Sequence, residues 1–274
     1  MPIEQHAFTS GRWKDKIKDV QVLKNWFINK NEQNEVLSFG YMPGNEVESI
    51  FLGTFPIWQI VTGPTFDQNV EFFYGSVVND FWNCLGNISN SAVITVADRI
   101  KILDNYNIGL TDILESIIRL IDDCNSDICL TTIRYNNILD LKANFPALKN
   151  IFITSGGRSP VASLNVGNKS AATWFRDSVT NQQTTGFNQT GFVKQITINN
   201  TPFNLIYLYS PGNSANVAIQ GVLNANNNFN IPGLTIRELR RLQWSYFLNK
   251  YHTKFDGEID LTKYRHLVDY FESN

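Results

Sequence analysis

The segment Ile50-Phe51-Leu52-Gly53-Thr54-Phe55-Pro56 decides the fold that this sequence predicts. Ile50, Phe51 and Leu52 form a continuous apolar run, which is typical of a strand covered on both faces. Gly53 then permits a turn, and Pro56 breaks the chain. We therefore predict a buried strand at residues 49–53, of the kind found in parallel sheets.

Further strand patterns alternate with helical patterns along the chain. Strands are predicted at residues 108–112, 150–154 and 204–209, and helices at 79–85, 98–104 and 171–177. This alternation predicts an α/β fold, a three-layer α/β/α sandwich with a four-stranded, mainly parallel sheet. We expect one domain over residues 1–274, with an elaborated loop and hairpin insert at about 163–200.

The boundaries between these elements carry more detailed predictions. Ile113, Ile117, Leu120 and Ile121 have the spacing of one helix face, so a helix is expected directly after the strand at 108–112. In the insert, residues 191–198 are expected to pair with 203–208 across Asn199-Asn200-Thr201-Pro202. Thr235-Ile236-Arg237-Glu238 is a capping-box pattern that begins a helix of about four turns. A last helix is expected to turn Tyr264, Leu267 and Phe271 inward.

Composition restricts the class of protein. The 274 residues are 43% hydrophobic, which argues against disorder. The net charge of −2 counts mildly against a DNA ligand, although a small positive patch suffices when one flipped base supplies much of the contact. The three cysteines, Cys84, Cys124 and Cys129, lack metal-binding spacing and cannot all pair, so we expect a reduced, cytoplasmic protein without a metal site. No signal peptide or membrane-spanning stretch is predicted.

Ligands of open parallel sheets bind beyond the carboxyl ends of the strands. Three predicted strand exits carry turn residues, namely Thr54-Phe55-Pro56, Ser155-Gly156-Gly157 and Ser210-Pro211-Gly212-Asn213. Strand ends need turn residues in any case, so the glycines alone carry little information. Their combination predicts a site built from these loops and the segment around Tyr74.

The segment Phe72-Phe73-Tyr74-Gly75-Ser76-Val77-Val78-Asn79-Asp80-Phe81-Trp82 places an aromatic ring five residues before a carboxamide. An enzyme that extrudes a base from a duplex stacks it on a ring and reads its polar edge, and Tyr74 and Asn79 suit these two tasks. The alternative interpretation is structural, because such aromatic residues are more often core and Asn79 is well placed to cap a helix.

Together these motifs resemble the uracil-DNA glycosylase superfamily, and most closely its bacterial hypoxanthine- and mismatch-specific members. The similar segments are Gly53-Thr54-Phe55-Pro56, Phe73-Tyr74 with Asn79-Asp80-Phe81-Trp82, Ile108-Gly109-Leu110-Thr111-Asp112, Asn125-Ser126-Asp127, residues 151–157, and Tyr209-Ser210-Pro211-Gly212-Asn213-Ser214-Ala215-Asn216. The resemblance implies a monomeric, monofunctional DNA glycosylase that uses no cofactor and excises a deaminated base.

The resemblance also implies roles for individual residues. Gly53, Thr54, Phe55, Pro56, Tyr74 and Gly156 would bind the base, and Ser210, Pro211, Gly212, Asn213 and Ser214 would form the loop that enters the DNA minor groove. Two departures from the family matter. Phe55 stands where uracil-specific members carry a water-activating Asn or Asp, and the histidine of the last motif is missing. Hypoxanthine-type members use the asparagine that corresponds to Asn79, which is therefore the first catalytic candidate.

Asp112 is the second catalytic candidate, as a carboxylate that positions water or stabilises a cation. The alternative is that it caps the next helix. Asp80 and Asp127 are weaker candidates. His6, His252 and His266 are expected at the surface or at an interface. Arg237, Arg240 and Arg241 are expected to form a solvated charged face, or else to contact phosphates.

Two other function classes stay open. One is a family member that has lost hydrolysis and only binds nucleic acid or a nucleotide, which Phe55 and the missing histidine favour. The other is a protein-interaction domain that uses the Asn-rich insert.

Overall fold

A computed structural model describes residues 2–13, 24–61, 72–76, 79–122, 124, 126–155, 170–225, 234–255 and 261–273. The strands in these residues are β1 (Ile3–Gln5), β2 (Trp26–Lys30), β3 (Val36–Tyr41), β4 (Ser49–Gly53), β5 (Ile108–Asp112), β6 (Leu114–Arg119), β7 (Leu130–Tyr135), β8 (Asn150–Ile153), β9 (Thr184–Thr185), β10 (Val193–Ile198) and β11 (Thr201–Tyr207). The helices are α1 (Trp58–Val61), α2 (Phe81–Ile88), α3 (Val96–Tyr106), α4 (Ile138–Asn144), α5 (Ala171–Ser178), α6 (Asn216–Ala225), α7 (Ile236–Tyr251) and α8 (Arg265–Ser273).

The larger sheet of the described chain has eight strands in the order β2-β3-β5-β4-β8-β11-β10-β9. Its four central strands, β5, β4, β8 and β11, run parallel to one another. The two strands at each edge add antiparallel pairs. The α/β class of the sequence prediction therefore holds, but the sheet is mixed and has eight strands instead of four.

The central strands are buried on both faces, since every residue of β4 and β8 is buried. On one face, the Phe51 ring contacts Phe81 of α2 and Trp244 of α7, with ring centroids 5.1 Å and 5.7 Å away. Removing these large apolar surfaces from water is the main stabilisation of this layer. This packing also fixes α2 against the central strands.

The expected helix after β5 is wrong. Residues 114–119 form strand β6, which pairs antiparallel with β1 and β7 in a second, three-stranded sheet. The four apolar residues do fit helical spacing, but Ile117 and Ile118 are β-branched and favour a strand. Leu120 and Ile121 follow the end of β6 and are exposed, with 48% and 63% of their surface accessible.

The insert contributes to the main sheet. Its residues 170–200 contain α5, β9 and β10, and β10 pairs with β11 through a two-residue turn at Asn199 and Asn200. Both asparagines have positive φ, 48° and 64°, as a tight hairpin turn requires. The expected hairpin is thus present with a shorter loop, and residues 163–169 lie outside the described part.

The carboxyl-terminal helices begin close to their predicted positions. The Glu238 amide donates a hydrogen bond to Thr235 Oγ1, which caps α7. Helix α8 buries Leu267 and Phe271, and Tyr264 lies partly buried just before it. In the described chain, none of the helices has the length and apolar character needed to cross a membrane.

Candidate functional site

The carboxyl ends of the central strands lie at one edge of the sheet because these strands are parallel. Thr54 follows β4, Asp112 ends β5, Thr154 and Ser155 follow β8, and Ser210 lies three residues after β11. A crevice at this edge is where ligands of open α/β sheets bind.

Gly53, Asp112 and Tyr74 are in close contact. Gly53 lies opposite Asp112 in the pairing of β4 with β5. A methyl group at Gly53 would lie 2.1 Å from Asp112 Oδ1 and 2.2 Å from the Tyr74 hydroxyl oxygen. Glycine is therefore needed here, because only a residue without Cβ lets the carboxylate and the phenol approach the strand end together.

His6 holds the other oxygen of Asp112. His6 Nε2 lies 2.9 Å from Asp112 Oδ2, and His6 Nδ1 accepts a hydrogen bond of 3.0 Å from the Phe8 amide. Because a backbone N–H can only donate, Nδ1 carries no proton, so the imidazole is neutral and donates through Nε2 to the carboxylate. His6 thus fixes the orientation of Asp112 without adding a positive charge.

The expectation that His6 and His252 lie at the surface or at an interface is wrong. His6 has no accessible surface and packs beside the rings of Phe39, Phe55 and Phe73. His252 is also buried, hydrogen-bonded to Ser49 and to the Tyr106 carbonyl. No local pattern marks His6 as a site residue, because only the pairing of β1 with β6 brings it to Asp112.

Asp127 places a second carboxyl group at this edge. The hydroxyls of Thr54 and Ser155 lie 3.1 Å and 3.4 Å from Asp127 Oδ2. Burial raises the pKa of Asp127 to about 6, the negative charge of Asp112 adds to this rise, and the two hydroxyls and Arg119 oppose it. A carboxyl group with this pKa exchanges its proton near neutral pH.

Tyr74 is held between the core and the site. Its backbone has a positive φ of 54°, and its ring stacks on Phe81 at 4.1 Å between centroids. Thr154 Oγ1 donates to the Leu52 carbonyl, so the Tyr74 hydroxyl donates to Thr154 over 2.6 Å. Burial, followed by the charge of Asp112, raises the pKa of Tyr74 well above its ordinary value. Tyr74 is therefore a neutral, fixed side chain whose ring is covered on one face by Phe81.

The Asn79 carboxamide makes the contact expected from the structural alternative. Asn79 Oδ1 accepts a hydrogen bond of 2.9 Å from the Phe81 amide at the start of α2. Its oxygen is thus engaged at a helix end, and what Asn79 offers to a ligand is an N–H donor. Asp112, in contrast, caps no helix, because a strand follows it.

The loop after β11 contacts the Asn79 segment directly. Asn79 and Gly212 form an antiparallel bridge, and the Asp80 amide donates to the Pro211 carbonyl. Ser210 accepts from the Gly212 amide, and Asn213 is exposed. The segments around Asn79 and Gly212 therefore form one surface.

Arg240 ties this surface to α7. Its guanidinium donates to Asp80 Oδ2 over 2.9 Å and to Asn216 Oδ1 over 2.8 Å, and the side chain is 2% exposed. The expectation of a solvated or phosphate-contacting face is wrong for Arg240, whereas Arg237 is 82% exposed. Asp80 is thus the partner of a buried arginine, which accounts for it without catalysis.

Several predicted residues are less informative. Thr54 is buried, while Phe55 and Pro56 are partly buried beside it. Gly156 and Asn125 lie outside the described residues, as does the Ser214 side chain.

The cysteines differ from the sequence expectation. A disulfide joins Cys124 to Cys129, which lie before and after Asp127 in the chain, so the expectation of reduced cysteines is wrong for this pair. Cys84 is a buried thiol.

Comparison with other proteins adds no assignment. No model of a known protein family matches the chain, and no curated protein matches it significantly. In the described residues, no group of three or more His, Cys, Asp or Glu side chains is arranged to hold a metal ion.

Proposed function

We propose that the protein is a DNA glycosylase of the uracil-DNA glycosylase superfamily that removes a deaminated base after flipping it out of the duplex. One observation carries this proposal: the segments that resemble the family meet at the carboxyl edge of the central parallel strands. Gly53 contacts Tyr74 and Asp112, and Gly212 bridges to Asn79. These segments are far apart in sequence, so a shared site accounts for their meeting.

The chemistry that this arrangement supports is hydrolysis of the N-glycosidic bond. Breaking this bond produces an oxocarbenium-like sugar, which a fixed negative charge stabilises. Asp112 supplies a carboxylate that His6 holds in one orientation. We assign to it the positioning of the attacking water and the stabilisation of the sugar cation. No cofactor is needed for these steps.

The remaining residues would hold the substrate. Tyr74 and the Thr54-Phe55-Pro56 loop form a wall for the flipped base, with the Asn79 N–H as a donor to its edge. The Ser210-Pro211-Gly212-Asn213 loop would enter the minor groove. The net charge of −2 fits binding through one flipped base better than broad contact with phosphates.

The test is single-turnover base release from oligonucleotides that carry uracil, hypoxanthine, xanthine or a T/G mismatch. We expect release from at least one of them, and we expect Asp112→Asn to slow it at least about a hundredfold, the scale for losing one preorganised polar group. Asp269→Asn, at an exposed position in α8, is the matched control and should not change the rate.

Two outcomes would contradict the proposal. A protein that binds these oligonucleotides but releases no base is a non-catalytic binder. A protein that neither binds nor cleaves them is better explained as an interaction domain.

A further inference from the structure

We propose that Asp127 is the general acid of base release, and that the substrate is accordingly a base that leaves best when protonated, such as the purine hypoxanthine. This inference rests on the proposed glycosylase function. It assigns Asp127 and Asp112 opposite roles, acid and base, in one reaction.

The two carboxyl groups lie on either side of the end of β4. Asp112 ends β5, on one side of β4 in the sheet. Asp127 is hydrogen-bonded to Thr54 at the end of β4 and to Ser155 after β8, which is the neighbour of β4 on the other side. A base bound beyond the end of β4, next to Thr54, would therefore have one carboxyl group on each side.

Their surroundings differ in the way that an acid and a base require. Asp112 Oδ2 accepts a hydrogen bond of 2.9 Å from His6, which orients this carboxyl group toward the site. Among the described residues, Asp127 Oδ2 accepts hydrogen bonds from the hydroxyls of Thr54 and Ser155. These contacts leave room for a proton on Oδ1, and the residue is partly exposed.

Burial, more than the surrounding charges, keeps Asp127 protonated up to about pH 6. Burial and the Asp112 carboxylate raise its pKa to about 6. Arg119 opposes this, but its guanidinium is paired with Glu4 at 3.0 Å, and both side chains are buried. Tyr74, whose own pKa is raised, stays neutral beside them. The acid is therefore available below about pH 6 and is lost as the pH rises through this value.

The reaction balances with water as the only co-reactant. The bond between sugar C1′ and the base nitrogen breaks, and its electron pair goes to the base. The Asp127 proton moves to a ring nitrogen of the base, which leaves as a neutral molecule. Water oxygen bonds to C1′ and gives one proton to Asp112, and proton exchange with solvent restores both carboxyl groups.

The experiment compares two leaving groups in single-turnover release, hypoxanthine and 5-fluorouracil, because 5-fluorouracil departs readily as an anion and needs an acid least. We expect Asp127→Asn to slow hypoxanthine release at least about a hundredfold, a typical contribution of general acid catalysis, and 5-fluorouracil release less than about threefold. The control is Asp122→Asn, at an exposed position that lies, like Asp127, between β6 and β7. It should leave both rates unchanged.

The pH profile of the unmodified protein is a second measurement that does not depend on any variant folding. Hypoxanthine release should fall about tenfold per pH unit above the pKa of Asp127, while 5-fluorouracil release should not show this loss. Equal slowing of both bases by Asp127→Asn, or equal pH profiles for both, would overturn the acid role while the glycosylase proposal stands. If the unmodified protein releases no base at all, both proposals fail.

Discussion

At the scale of single residues, the site contains a carboxyl group whose ionisation works against folding. The pKa of Asp127 is raised from 3.8 to about 6, chiefly by burial, so the folded state binds its proton more tightly than the unfolded state does. This contribution to stability is full below about pH 4 and is lost as the pH rises through about 6. A group retained at such a cost is a candidate for function.

Replacing Asp127 by the neutral, similarly shaped asparagine should therefore stabilise the protein at neutral pH. We expect Asp127→Asn to raise the free energy of unfolding by about 1–2 kcal/mol at pH 7.5, after allowing for partial solvent screening, because one pKa unit corresponds to about 1.4 kcal/mol. The gain should be much smaller near pH 4, where Asp127 is protonated in the folded state and partly protonated in the unfolded state. Chemical denaturation at the two pH values measures it. A variant that is less stable at both would show that the carboxylate itself holds the loop.

At the scale of elements, sequence patterns predicted the strands whose formation depends on residues close together in the chain. Strands β4 and β5 have their predicted bounds, because continuous apolar runs signal burial on both faces. The prediction was wrong at β6, where the apolar spacing favours a helix and the β-branched residues favour a strand. Pairing with β1 and β7 makes this segment a strand. His6 could not be assigned to the site for the same reason. Gly53 was placed in the site, but its contact with two side chains from other segments appears only in three dimensions.

The contact at the end of β4 is testable through Gly53. Gly53→Ala places a methyl group within 2.2 Å of both Asp112 Oδ1 and the Tyr74 hydroxyl oxygen, so one of them must move. We expect a loss of about 1–3 kcal/mol in the free energy of unfolding, the usual cost of overpacking. Gly221→Ala is the control: this exposed helical position has no heavy atom within 4 Å of the added methyl, and alanine there should stabilise by up to about 1 kcal/mol. Equal effects of the two variants in urea denaturation would mean that the strand end tolerates a side chain.

At the scale of the whole molecule, one buried arginine connects three distant parts of the chain. Arg240 of α7 donates to Asp80, which lies just before α2, and to Asn216 at the start of α6. The segments on either side of the candidate site, around Asn79 and Gly212, are therefore fixed to the helix that packs on Phe51 of the central sheet. Burial lowers the pKa of Arg240, which shows that its position is costly unless Asp80 balances the charge.

The two arginines that contact Asp80 allow this connection to be measured. Arg240→Ala should lower the free energy of unfolding by about 2–4 kcal/mol, because it removes a buried partner and leaves the Asp80 carboxylate, 16% exposed, without its main donor. Arg237→Ala also removes an ion pair with Asp80, at 3.2 Å, but from a side chain that is 82% exposed, so it should cost less than about 1 kcal/mol. Urea denaturation of both variants gives the difference. If Arg240→Ala were as mild as Arg237→Ala, the site segments would be held by their backbone hydrogen bonds and not by this arginine.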